Sequence, residues 1–111
     1  MNIETTNEGV ALEILFRILP THRVEFLQAV DSLISSAATM PGLENLSCFE
    51  DLESENSFLW RECWSSLGDL EDRLQSTGIK TLMGAIGVLG ELEHLEVFAP
   101  GAATKPGLNW S

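Results

Sequence analysis

Residues 43–64 decide the fold: Leu43-Glu44-Asn45-Leu46-Ser47-Cys48-Phe49-Glu50-Asp51-Leu52, then Glu53-Ser54-Glu55-Asn56, then Ser57-Phe58-Leu59-Trp60-Arg61-Glu62-Cys63-Trp64. Both flanks read as strands, rich in apolar and aromatic residues and bounded by polar ones. The four polar residues between them have hairpin length. With Leu52 opposite Ser57, Phe49 stands across from Trp60 and Cys48 across from Arg61. Phe49, Phe58, Trp60 and Trp64 then share one face, and Leu46, Cys48, Leu59 and Cys63 the other. Cys48 and Cys63 become diagonal neighbours about 7–8 Å apart, too far for a disulfide, so both are read as reduced thiols.

Upstream of the hairpin, Leu12, Ile14, Phe16 and Ile18 alternate through Val10 to Leu19, a half-buried strand that Pro20-Thr21 stops. Thr21 is placed to cap a helix, with Glu25 in its first turn. Val24, Leu27, Val30, Leu33/Ile34 and Ala37/Ala38 recur at helical spacing until Met40-Pro41-Gly42. Downstream, Ser66 and Asp69 resemble a capping box, and Leu67, Leu70 and Leu74 form one stripe. Ser76-Thr77-Gly78 interrupts it, and Ile79, Leu82, Met83, Ile86 and Leu89 resume the spacing. Gly84 and Gly87 each cost about 1 kcal/mol in a helix, which predicts a weak second half or one packed closely on a neighbour. Leu92 to Ala99 reads as a last strand. The order β-α-β-β-α-β predicts an α+β, ferredoxin-like unit: a four-stranded antiparallel sheet with its helices on one face.

The 111 residues make one domain, taken as residues 10–99 between a leader (1–9) and a tail (100–111). With 44% hydrophobic and 21% charged residues, the disordered and disulfide-scaffold classes are excluded. Seventeen Asp and Glu against 6 Lys and Arg give −11, the wrong sign for phosphate backbones or an anionic membrane surface. Neither nucleic acid nor membrane is expected as a partner. The first residues show no basic and apolar export pattern, and no apolar run reaches the ~20 residues of a membrane span. A cytoplasmic location is the expectation. Several strands are apolar on both faces, which would leave one face in water, so a homodimer through the sheet is expected.

Pro41-Gly42, the run Ser47 to Asp51 and above all Phe58, Glu62 and Trp64 resemble the antibiotic biosynthesis monooxygenase family. There a Pro-Gly opens the second strand, and the third ends in Phe-x-x-x-Glu-x-Trp before a helix. The resemblance covers about residues 10–99 and implies a dimeric α+β barrel. Members include cofactor-independent oxygenases of polycyclic phenols and quinols, haem-degrading enzymes, and proteins with no established reaction. Many carry one His before the Leu that here is Leu74 and another shortly before the next helical segment; Arg73 and Gly78 stand there. Met83 stands nearest the haem-ligating His of the haem-degrading branch, and the first strand lacks that branch's Asn. The resemblance therefore implies no metal, no haem and no other cofactor.

Only two histidines are present, His22 and His94. His22 falls in the first turn of a helix, at the surface. His94 lies on the last strand near Glu93 and Glu96 and is a candidate general base. Glu62 shares its face with Phe58, Trp60 and Trp64, an acid among aromatics, and is the second candidate base. Its alternative is an ion pair with Arg17 or Arg73, or a place at the sheet edge. Trp60, Trp64 and Phe49 are candidate walls for a flat aromatic ligand, and Asn45 or Arg73 a polar anchor. The readings carried forward are a cofactor-independent monooxygenase of an aromatic phenol or quinol, and a non-catalytic small-molecule-binding or interaction module on the same fold.

Overall fold

The computed structural model describes residues 9–99, so the tail and all of the leader but Gly9 lie outside the described residues. Strand β1 runs Val10–Ile18, helix α1 Arg23–Ala38, β2 Leu43–Glu50, β3 Ser57–Trp64, α2 Leu67–Leu74, α3 Thr77–Leu89 and β4 Gly90–Phe98. A 3-10 turn, Pro20–His22, joins β1 to α1. The sheet order is β2-β3-β1-β4, with every neighbouring pair antiparallel. This is the ferredoxin-like α+β arrangement, its second helical region divided into α2 and α3.

Alternation in β1 does what its pattern predicts. Leu12, Ile14, Phe16 and Ile18 are fully buried and pack with Phe26 and Leu33 of α1, Leu70 of α2 and Ile79, Leu82 and Ile86 of α3. All three helices thus cover one face of the sheet, the inner face. Ser66 Oγ caps α2 by accepting from Asp69 N–H, and Ser76 Oγ caps α3 by accepting from Ile79 N–H. The chain enters β2 through Gly42, whose φ of +90° and contact with the Asp69 side chain leave no room for a Cβ.

The hairpin register differs from the expected one by a single residue. Asp51 N–H donates to Ser57 O at 2.9 Å, so the loop holds residues 52–56 and Leu52 is fully exposed in it. Cys48 pairs with Trp60, Phe49 with Leu59 and Glu50 with Phe58. Loop chemistry outweighs the apolarity of Leu52. Asp51 Oδ1 accepts from Glu53 N–H, and Asn56 takes the left-handed φ of 69° that Asn tolerates. Because side chains alternate, the slip exchanges faces. Cys48 joins Trp60 and Trp64 inside, while Phe49 joins Leu59 and Cys63 outside. The cysteines are therefore on opposite faces, and both are free thiols.

Helix α1 keeps its predicted stripe at Val30, Leu33, Ile34 and Ala37 and departs from it only in the first turns. Val24 and Leu27 are exposed, and Phe26, Leu33 and Ala37 are buried. Phe26 meets the rings of Phe16 at 5.4 Å and Phe58 at 5.0 Å between centroids, and this aromatic trio rotates the helix. Thr21 lies in the 3-10 turn, and His22 occupies the N-cap without a side-chain cap bond. Gly84 and Gly87 face open space, so close helix packing is not what they serve.

Candidate functional site

Strand β3 sends Trp60, Glu62 and Trp64 inward at successive alternate positions, and α2 lays Arg73 over them. Trp60, Trp64 and Glu62 are completely buried, and Arg73 is 1% exposed. The Glu62 carboxylate accepts from Trp60 Nε1 at 2.8 Å and from Trp64 Nε1 at 3.0 Å. Arg73 grips the same carboxylate, with Nε 3.0 Å from Oε1 and Nη2 2.6 Å from Oε2. A carboxylate offers about four lone-pair positions, and here two indoles and a forked guanidinium fill them. Of the two ion-pair partners expected for Glu62, Arg73 is the actual one; Arg17 pairs with Glu93 on the other face.

One donor of the cluster is left over. Arg73 Nη1 is buried and has no hydrogen-bond partner among the described residues. It lies beneath Gly78, where a Cβ would come within 2.9 Å of Nη1 and 2.8 Å of Ser36 Oγ. Any side chain at position 78 would press on both, so Arg73 and Gly78 fit as a pair. Ser36 carried no sequence signal, because its role follows only from where α1 crosses the start of α3.

The remaining candidates stand apart from this cluster. Phe49, Asn45 and His94 all belong to the outer face: Phe49 opposite Leu59, Asn45 opposite Cys63, and His94 opposite Leu15. His94 Nε2 lies 2.9 Å from Glu96 Oε1. Phe49 does line a groove, though not with the tryptophans. That groove, of about 440 Å³, is open and largely apolar, between Leu15, Phe49 and Leu59, with Arg17 and Glu93 at its rim. The cysteines add little chemistry: burial pushes the Cys48 thiol up to about 11, and Cys63 Sγ accepts from Arg61 Nη1. Among the described residues, no three His, Cys, Asp or Glu side chains converge as metal ligands. No helix among them is long and apolar enough to cross a membrane.

Residues 9–85 match the family model for antibiotic biosynthesis monooxygenases. The chain belongs to the antibiotic biosynthesis monooxygenase family. Among the solved structures that share the fold are the following three. A conserved protein from Methanosarcina mazei superposes with a TM-score of 0.77 at 18% identity, over 86% of this chain and 95% of that one. A conserved protein of unknown function from Bacteroides thetaiotaomicron gives 0.73 at 23% identity, over 83% and 97%. SnoaB, a cofactor-independent oxygenase from Streptomyces nogalater, gives 0.72 at 18% identity, over 82% and 91%. No curated protein matches the sequence. Within the family's Phe-x-x-x-Glu-x-Trp pattern, Phe58, Glu62 and Trp64 all point into the space between sheet and helices.

Proposed function

We propose that the protein is a cytoplasmic homodimer that oxygenates an apolar phenol or quinol without a cofactor, at the Trp60–Glu62–Trp64–Arg73 cluster. The observation that carries this reading is an ion pair buried under two indoles, an arrangement usually no more stable than apolar packing, so its presence asks for a role beyond stability. SnoaB, with the same fold, supports the reaction class. The half-exposed Leu15, Phe49 and Phe98 on the outer face support the dimer.

In this mechanism the phenol hydroxyl exchanges partners with the ion pair. Its proton goes to Glu62 and its oxyanion takes the Arg73 guanidinium, so no net charge is created in the low-dielectric interior. The electron-rich ring then reduces O₂. One oxygen atom becomes the new carbonyl oxygen at the oxidised ring carbon, and the other leaves as water with that carbon's single hydrogen and the hydroxyl proton held on Glu62, which returns to its carboxylate form. Trp60 and Trp64 supply flat apolar walls. His94, on the outer face, takes no part.

A second reading has its own observation. Glu62 has no free lone pair in the closed cluster, while the groove beside Phe49 is open; both favour a non-catalytic binding module. Oxygen uptake with a panel of quinols and anthrones separates the two. Uptake that disappears in Trp64→Ala supports the oxygenase; saturable binding without uptake across the panel overturns it. Because Trp64 is buried, Trp64→Ala also costs about 3–5 kcal/mol of stability, so each assay is run below that variant's unfolding transition.

A further inference from the structure

A polar row, Glu96–Glu13–Arg61, crosses the middle of the outer sheet face, with Glu13 the register partner of both others. It divides the apolar surface there in two. On one side stand Leu15, Leu59 and Phe49, with the groove of about 440 Å³. On the other stand Phe98, Ala11 and Cys63, in line across β4, β1 and β3. These three line a separate cavity of about 220 Å³, to which Glu44 and Arg61 bring the polar groups. We infer that residues 100–111 fold back over this half of their own chain's sheet and seat the Trp110 indole in that cavity. The proposed reaction belongs to the inner face, so this docking stands apart from it; residues 100–111 would cover only the Phe98 half of the outer one.

Size, place and charge favour this occupant. Pockets that enclose a free ligand usually measure about 300–1,000 Å³; this smaller one suits a single large side chain, and Trp110 is the only aromatic among residues 100–111. The chain leaves the sheet at the cavity's edge, since the buried Ala99 directly follows Phe98. Trp110 lies eleven residues beyond Ala99, a reach of about 36–40 Å when extended, whereas β4 to β3 is two strand spacings, about 10 Å. Pro100-Gly101 and Pro106-Gly107 are turn formers placed to reverse the chain within that slack. Inside, Phe98, 42% exposed, offers a ring and Cys63 a sulfur, both favourable partners for an indole. Lys105 is the only charged side chain in residues 100–111, the sign that the exposed Glu44 and a chain of net charge −11 attract. Tethering also holds the chain's own indole at an effective concentration of order millimolar, which the tail of a second copy in dilute solution does not match.

Cys63 reports the cover directly. The full chain is labelled with a thiol-reactive disulfide reagent, and peptide mass mapping separates Cys63 from Cys48 on the inner face. Cys63 should react at least about tenfold more slowly in the full chain than in a chain ending at Ala99, because it is reached only when the cover opens. Trp110→Ala should acquire the fast rate, and Trp110→Phe should keep most of the protection. Trp110 lies beyond β4, so an unchanged melting temperature of the sheet and helices shows that the faster rate does not come from unfolding. Acrylamide quenching gives a second measurement: the emission lost in Trp110→Ala should be as poorly quenched in the full chain as that of the buried Trp60 and Trp64. Equal Cys63 rates in the full chain and Trp110→Ala, or quenching of Trp110 like that of free indole, would overturn the docking. Protection that disappears on dilution would assign the cover to the tail of a second copy and overturn it as well.

Discussion

Arg61 and Glu62 are adjacent on β3, and each anchors an ion pair on a different face of the sheet. Outside, Arg61 Nε and Glu13 Oε2 are 2.8 Å apart with side chains 40% and 27% exposed. Inside, Arg73 Nη2 and Glu62 Oε2 are 2.6 Å apart with side chains 1% and 0% exposed. The distances are nearly equal and the energetics are not. Water around the outer pair screens its attraction and stabilises either partner alone. The inner pair has only itself and two indole N–H groups, so removing one member strands the other in a dry interior. The inner face is thus committed to a single arrangement, and the outer face remains open to a second surface.

Breaking one pair at a time gives the largest expected effect. Arg73→Met should cost about 3–5 kcal/mol in urea unfolding, because Glu62 loses its counter-ion in a dry interior. Arg61→Met should cost less than about 1 kcal/mol in the same measurement. The double variant Glu62→Gln with Arg73→Met should recover part of the loss, since no unpaired charge remains. Equal costs for the two single variants would show that water reaches the inner pair and would remove the contrast between the faces.

The outer face is probed by making it refuse a second copy. Phe49 is 54% exposed, so Phe49→Asp should change the stability of one subunit very little. If the face closes against another copy, the same change buries an unpaired carboxylate and should weaken the dimer by about 2 kcal/mol, some thirty-fold. Sedimentation equilibrium measures this directly. A dimer indifferent to Phe49→Asp would place the interface elsewhere and leave the outer groove as a solvent-facing pocket.

The two faces were only half legible in the sequence. The strand and helix order, the break between α2 and α3, and the inward set Phe58, Trp60, Glu62 and Trp64 follow from alternation within single segments. The cluster's fourth member, Arg73, was visible as a partner for Glu62 but not distinguishable from Arg17. That choice depends on which face each strand turns to the helices. Phe49 was misplaced because hairpin register is set by the loop, and Leu52 looked like strand while its neighbours were building a turn. Ser36 and the unmet Nη1 were invisible for a similar reason: they depend on how helices cross, which leaves no period in the sequence.

The device that holds this register offers the smallest and most specific test. Glu50 closes β2 on the inner side, where its carboxylate accepts from Arg23 Nη2 at 2.9 Å and from Asn56 N–H at 2.8 Å; Arg23 Nη1 also reaches Asn56 Oδ1 at 2.9 Å. The clamp ties the loop's left-handed residue to the start of α1. The hydrogen bonds from Arg23 and then Asn56 pull the Glu50 carboxyl from 4.5 down to about 2. A depressed carboxylate contributes stability that is fully present above its unfolded value and is lost as pH falls through its folded one. The wild-type melting temperature should therefore carry a component that fades between about 4.5 and about 2, and Glu50→Gln should lack it. The difference between the two profiles isolates this group from the other carboxylates titrating in the same range. If the clamp also maintains the register, amide exchange in residues 51–56 should rise in Glu50→Gln while that of β1 stays unchanged. Parallel melting profiles with unchanged exchange would mean that Asp51 and Asn56 set the turn without help. The exchange of faces between Phe49 and Cys48 would then be decided within the loop itself.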